Sequence, residues 1–238
     1  FSVYFARVIA ADVETGTAQW GYALSLCGLI VALGSPILGA IADRAGPRKP
    51  WILVFTVACA GATALLWYAK PGVDSVLWTL ICFGVGTAAF EFGTVFYNAM
   101  LPDLVSPSRI GRLSGWGWGL GYSGGLACLV LSLLAFIRAE PPPFGLDPGA
   151  NEPVRATALV VAVWVIAFAI PLFAFTPDRQ ATGVRLGQAV REGVAALVLT
   201  MREIRHYAHI IRFLVARMIY TDGLNTVFSF GGIYAAGT

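Results

Sequence analysis

Apolar residues run along this chain in long blocks separated by short polar joints. A hydrocarbon core about 30 Å thick takes roughly 20 residues of helix to cross. Five blocks meet that length, at about Trp20 to Ala42, Trp51 to Tyr68, Val76 to Met100, Leu113 to Ile137 and Ala156 to Phe175. A shorter apolar run from Phe1 to Ala10 reads as the end of another span, and one more begins near Ile210. Before that last block, Val190, Val194, Leu197, Val198 and Met201 recur at helical spacing among Arg185, Arg191, Glu192, Arg202, Glu203 and Arg205. This pattern predicts an amphipathic helix lying on a membrane surface. The expected fold is an all-α polytopic membrane helix bundle. Residues 1–176 form a transmembrane bundle, 177–209 a linker and 210–238 the start of a second bundle.

Composition agrees with lipid as the main solvent. Only 12% of the 238 residues are charged and 58% are hydrophobic, against about 25% charged in a soluble domain. No basic run with interleaved aromatics suggests nucleic acid. Cys27, Cys59, Cys82 and Cys128 sit singly in four apolar blocks and read as small packing residues. The start at Phe1 and the stop after Gly237-Thr238 lead us to expect a fragment that lacks part of its first span.

Charge placement sets the expected orientation, because cytoplasmic loops carry the excess of Lys and Arg. One side holds Arg44, Arg48, Lys49, Arg109, Arg112, Arg179, Arg185, Arg191, Arg202, Arg205 and Arg212, and the other only Arg7, Lys70, Arg138 and Arg155. The first side, with the linker, is expected to be cytoplasmic. His206 and His209 fit the interface, and Trp20, Trp51, Tyr68 and Trp78 fit an aromatic belt near the span ends.

The stretch GAIADRAGPRKP at Gly39 to Pro50 is the most specific motif. Gly39 permits close helix approach, Asp43 can cap or pair at a helix end, Gly46 permits a tight turn, and Arg44, Arg48 and Lys49 carry positive charge. It resembles the G-x-x-x-D-R-x-G-R-R signature between the second and third helices of the major facilitator superfamily, with Pro47 where the signature has Arg. That resemblance implies a cytoplasmic gate built from Gly39, Asp43, Arg44, Gly46, Arg48 and Lys49. It also implies the major facilitator fold, with the chain covering the end of helix 1 through helix 7. FYNAMLPDL, SGWGWGLGYSGG and ARMIYTDGLNTVFSFGGIYAAG together resemble the vacuole effluxer family, typified by the autophagy-related vacuolar amino-acid effluxer and its bacterial relatives. The resemblance implies secondary transport of small solutes, amino acids or similar metabolites, by alternating access. It further implies function as a monomer of the full-length chain and residence in a bacterial inner membrane.

Ionisable groups inside lipid are costly and are functional candidates by default. Glu91 lies in the fourth helix. In the seventh, Arg217, Thr221, Asn225 and Ser229 recur every four residues beside Asp222 and Thr226. Such a stripe is expected to face a water-filled path for solute, with Asp222 or Glu91 as the site of a coupling proton. The alternative is an Arg217 pair with Asp222 or Glu91 that only neutralises charge. Gly223 is a candidate point for the helix to bend or unwind. Asn98, grouped with the solute-path candidates, has two readings, a cap on the turn at the end of the fourth helix or a hydrogen bond across helices in a cytoplasmic gate.

Gly119-Leu120-Gly121-Tyr122-Ser123-Gly124 matches the dinucleotide fingerprint literally. It lies inside an apolar helix, however, and the next acid is Glu140, so the strand-turn-helix context is missing. Gly117, Gly121 and Gly125 form one line at helical spacing, and Gly115, Gly119 and Ser123 another. With Gly124, they are expected to serve helix packing or a hinge. No P-loop, zinc spacing or hydrolase elbow is present, and neither a cofactor nor a metal is expected. Three alternatives remain: a channel, a non-transporting solute sensor and a multispanning lipid-modifying enzyme.

Overall fold

A computed structural model describes residues 1–44, 46–180, 186–204 and 207–237. All of its regular secondary structure is helical, with no strand among the described residues. The first turn, α1 (Ser2–Tyr4), runs into a π-helical turn over Phe5–Ile9. Then come α2 (Val13–Arg44), α3 (Lys49–Leu65, with a 3₁₀ turn to Tyr68), α4 (Val76–Leu104) and α5 (Ile110–Ser132, extended by a π turn to Ile137). They are followed by α6 (Glu152–Phe175), α7 (Leu186–Ile204) and α8 (Ala208–Gly237).

The elements α2 to α6, with their short terminal turns, are long and apolar enough to cross a membrane. They coincide with the five predicted blocks. The 32 residues of α2 extend roughly 48 Å at 1.5 Å per residue, so its ends project beyond a 30 Å core. In lipid the backbone satisfies itself within each helix. Hydroxyls do likewise: Thr63 donates to the Cys59 carbonyl, Thr94 to Phe90 and Ser123 to Gly119.

Helix α3 packs between α4 and α6, α2 lies along α4, and α5 is peripheral. Small residues set the closest approaches. A Cβ on Gly34 would lie 2.7 Å from the Phe92 ring, and one on Gly16 would lie 2.8 Å from the Ala6 backbone. All four cysteines are free and buried. Leu26, Leu29 and Leu33 on α2, and Leu120, Leu126 and Leu129 on α5, keep large apolar surfaces exposed, as helices in lipid do.

Two packed clusters sit at opposite ends. At one end, Phe5, Trp20 and Phe83 form an aromatic stack, with centroids 5.3 and 4.0 Å apart. Trp20 is buried in that stack, so protein packing takes the ring that the sequence pattern assigned to an aromatic belt. At the basic end, Ile41, Ala42, Ile52, Phe96 and Met100 are packed together, with Trp51 stacked on Phe96 at 5.4 Å.

The amphipathic helix is present as α7, but its apolar stripe is divided. Val190 packs on the basic-end cluster and Gly193 is buried against α2, while Val194 and Val198 stay exposed. The stripe therefore meets protein along one edge, where the sequence pattern suggested lipid alone. The expected positions Arg185, Arg205 and His206 lie outside the described residues.

Candidate functional site

The turn between α2 and α3 is where the ionic groups converge. Gly46 has φ +87°, a conformation that L side chains resist, and this lets the chain reverse between two long helices. Arg48 precedes the first residue of α3, and its side chain is buried, 3% exposed.

A buried guanidinium is tolerated only when its donors are used. Arg48 Nε donates to the Ala42 carbonyl at 3.1 Å, and its Nη1 donates to the Asp103 carboxylate at the end of α4. The second Asp103 oxygen accepts from Arg179 Nη2 at 2.5 Å. The Asp103 carboxylate holds the Arg179 guanidinium above its ordinary pKa, with Asp43 adding to the effect.

The first turn of α3 is capped from a distance. Asp178 Oδ1 accepts the Arg48 N–H at 2.9 Å and Asp178 Oδ2 the Lys49 N–H at 3.0 Å. Helix N-termini leave such donors orphaned and favour a carboxylate there. Lys49 Nζ donates to the Phe173 carbonyl at 2.9 Å, in the last turn of α6, where cations are favoured. On the other flank, Arg44 Nη1 pairs with Glu192 Oε2 of α7 at 2.6 Å. Gln188 first, then Arg44, keeps the Glu192 carboxyl below the usual carboxylate range.

A cavity of about 150 Å³ lies among Arg48, Met100, Asp103, Pro177, Asp178 and Arg179. It has room for a few waters and falls short of the roughly 300 Å³ at which small-molecule pockets begin. The cluster thus ties helix ends together around a small cavity.

The structure brings Arg44, Gly46, Arg48 and Lys49 into this cluster. Gly39 faces Val95 on α4, 3.9 Å from the position its Cβ would take. The cluster also contains Asp103, Asp178, Arg179 and Glu192, which the sequence reading did not select. A signal for two of them was present: α4 and the α6 segment both end in Pro-Asp, Pro102-Asp103 and Pro177-Asp178, on the same side as the basic turn.

The candidates that the sequence reading placed within spans are not brought together, and α8, which carries all of them but Glu91 and Asn98, is not among the five helices apolar enough to cross a membrane. Glu91 is exposed on α4, within electrostatic reach of Cys27. Arg217, Thr221, Asp222 and Asn225 are exposed on α8, and Ser229 is half-buried. Neither Arg217–Asp222 nor Arg217–Glu91 is an ion pair among the described residues. Helix α8 runs unbroken through Gly223, so its backbone is not unwound there. Asn98 lies inside α4, which continues to Leu104, so it does not cap that helix.

Of the α5 glycines, Gly117 admits the Tyr97 hydroxyl, 3.0 Å from the position of its would-be Cβ, and Gly124 approaches Trp164 Nε1 at 4.0 Å. Gly115, Gly119, Gly121 and Gly125 face open space among the described residues. At the end opposite the basic turn, α8 meets the rest of the fold: Phe230 packs over Gly21 at 3.5 Å, and Val3 lies 3.6 Å from the would-be Cβ of Gly232.

A family model described as vacuole effluxer Atg22 like matches residues 9–112 and 108–238. The chain belongs to the Atg22-like vacuole effluxer family. An uncharacterised MFS-type transporter, YxiO, of Bacillus subtilis (strain 168) is 28% identical over 220 residues, covering 92% of this chain and 50% of the relative. The chain therefore spans about half the length of that curated relative. No solved structure matches it. Membership in the Atg22-like family, with the five spans, makes the chain part of a multi-pass helical membrane protein. That family and the matched relative are of the transporter kind, not the enzyme kind.

Proposed function

We propose that the chain is the first six-helix bundle (1–176), central linker (177–209) and seventh helix (210–238) of a twelve-helix secondary carrier. It moves small solutes, with amino acids or similar metabolites the leading class, by alternating access. The observation that carries this reading is the α2–α3 turn, tied to the ends of α4 and α6 and to α7 by ion pairs and caps. Such ties are separable without unfolding any helix, as a gate requires. The basic end is cytoplasmic by the distribution of Lys and Arg, the membrane is a bacterial inner membrane, and the carrier works as a monomer.

Glu91, Asn98, Arg217, Thr221, Asp222, Asn225 and Ser229 line the path. Exposure of Glu91, Arg217 and Asp222 within a partial bundle is consistent with a surface that faces the second bundle or a cavity between the two. Asp222 or Glu91 carries the coupling proton. A channel or non-transporting sensor is the competing reading.

The test is solute counterflow by the full-length protein in liposomes with a panel of amino acids, sugars and nucleosides. A carrier accumulates labelled solute against a preloaded pool, whereas a channel or sensor gives none. If transport by both Asp222→Asn and Glu91→Gln keeps its full dependence on the pH gradient, the proton assignment is wrong.

A further inference from the structure

The α2–α3 turn is held from two sides by the segment that joins α6 to α8. At the start of that segment, Asp178 caps α3 and Arg179 shares Asp103 with Arg48. Further along, α7 docks on α2. A Cβ on Gly193 would lie 2.1 Å from Ala40 Cβ and 3.0 Å from Ala40 Cα. The helices therefore touch through backbone and a single methyl, and no larger residue fits at position 193 without separating them.

Ala40 and Arg44 are four residues apart on α2 and share a face. Glu192 reaches Arg44 at 2.6 Å, braced by Gln188 Nε2 on its other oxygen at 2.8 Å, while Val190 packs on the Ile41–Phe96 cluster. Steric fit, charge and apolar packing thus coincide at one small seat beside Asp43.

We propose that α7 is a latch on α2, and that Gly193 and Glu192 are positioning residues that hold the α2–α3 turn where Asp178 and Asp103 can engage it. Release of α7 from α2 frees the turn. The consequence for transport rests on the gate reading above, whereas docking itself does not.

The test uses full-length protein in nanodiscs, without solute. Spin labels at Ala195 on the outer face of α7 and at Ser108 read docking, and hydrogen exchange at residues 46–52 reads the turn. Wild type gives one narrow distance and slow exchange. Gly193→Leu broadens the distance and speeds exchange at 46–52 by about tenfold, while exchange in the middle of α3 and α4 stays unchanged. Glu192→Gln, which adds no bulk, moves both readouts the same way by less and serves if the leucine variant does not fold. An unchanged distance in Gly193→Leu overturns the latch. A broadened distance with unchanged exchange at 46–52 overturns the positioning role. Because neither readout needs a substrate, a failed counterflow assay and a failed latch are separate results.

Discussion

Asp178 accepts the backbone N–H of Arg48 at 2.9 Å from 130 positions away, and its other oxygen accepts that of Lys49. A helix that begins within the signature turn is capped by a residue shortly beyond the end of α6, so the start of α3 and the exit of α6 form one unit. Asp178→Ala removes both acceptors and costs about 1–2 kcal/mol, the usual range for a lost cap. Asp178→Asn retains one acceptor and costs less. Thermal unfolding of the solubilised full-length protein measures the order; equal midpoints for wild type and the alanine variant would contradict the cap.

Asp103 neutralises a guanidinium that has almost no contact with solvent. Asp103→Asn leaves Arg48 charged and short of its partner, and costs about 2–3 kcal/mol. Arg48→Lys does not substitute, because one ammonium cannot reach both Asp103 and the Ala42 carbonyl in the geometry of Nη1 and Nε. The same thermal assay gives both variants lower midpoints, and transport falls in step if the turn is a gate.

Acid acts on the α7 contact through Glu192. Its carboxyl in the docked state lies below the free glutamate value of about 4.3. The contribution to docking is therefore complete above that value and is lost as the pH falls through the depressed one. Docking read by the Ala195–Ser108 distance stays constant from about pH 7 to 5 and weakens only once the pH falls below the free glutamate value. In Glu192→Gln this acid-dependent step disappears.

The α5 glycines divide into two classes with different expected behaviour. Gly117→Leu brings a side chain against the Tyr97 hydroxyl, 3.0 Å from the Cβ position, and displaces the exposed Tyr97 ring. Gly121→Leu meets nothing among the described residues and leaves stability near wild type. If that line packs against a second bundle, as the proposed function has it, the variant slows transport. Wild-type transport kinetics in the Gly121 variant would remove the hinge or sliding role.

The spans were legible because crossing lipid demands about 20 apolar residues whatever they pack against, and α2 to α6 follow the predicted blocks closely. The turn was legible because Gly46 must supply a positive φ and the charges obey a membrane-wide bias. Its partners were harder to see: Asp103, Asp178 and Glu192 are separated from it by 55 to 148 positions, and only folding brings them together. Trp20 shows the same limit. A tryptophan near a span end fits an interface belt equally well until Phe5 and Phe83 are seen stacked on it. The stripe on α8 was readable as polar, but the described residues leave Arg217, Thr221, Asp222 and Asn225 exposed, so no packing partner gives it a role.

Alternation between the two ends is the central claim, and paired spin labels in the full-length protein test it most directly. Val13 and Tyr234, both exposed, span the end where Phe230 meets Gly21. Arg109 and Tyr207 span the basic end. Adding a solute that supports counterflow should lengthen one distance while it shortens the other. Two distances that change together, or that both stay fixed during counterflow, would contradict alternating access.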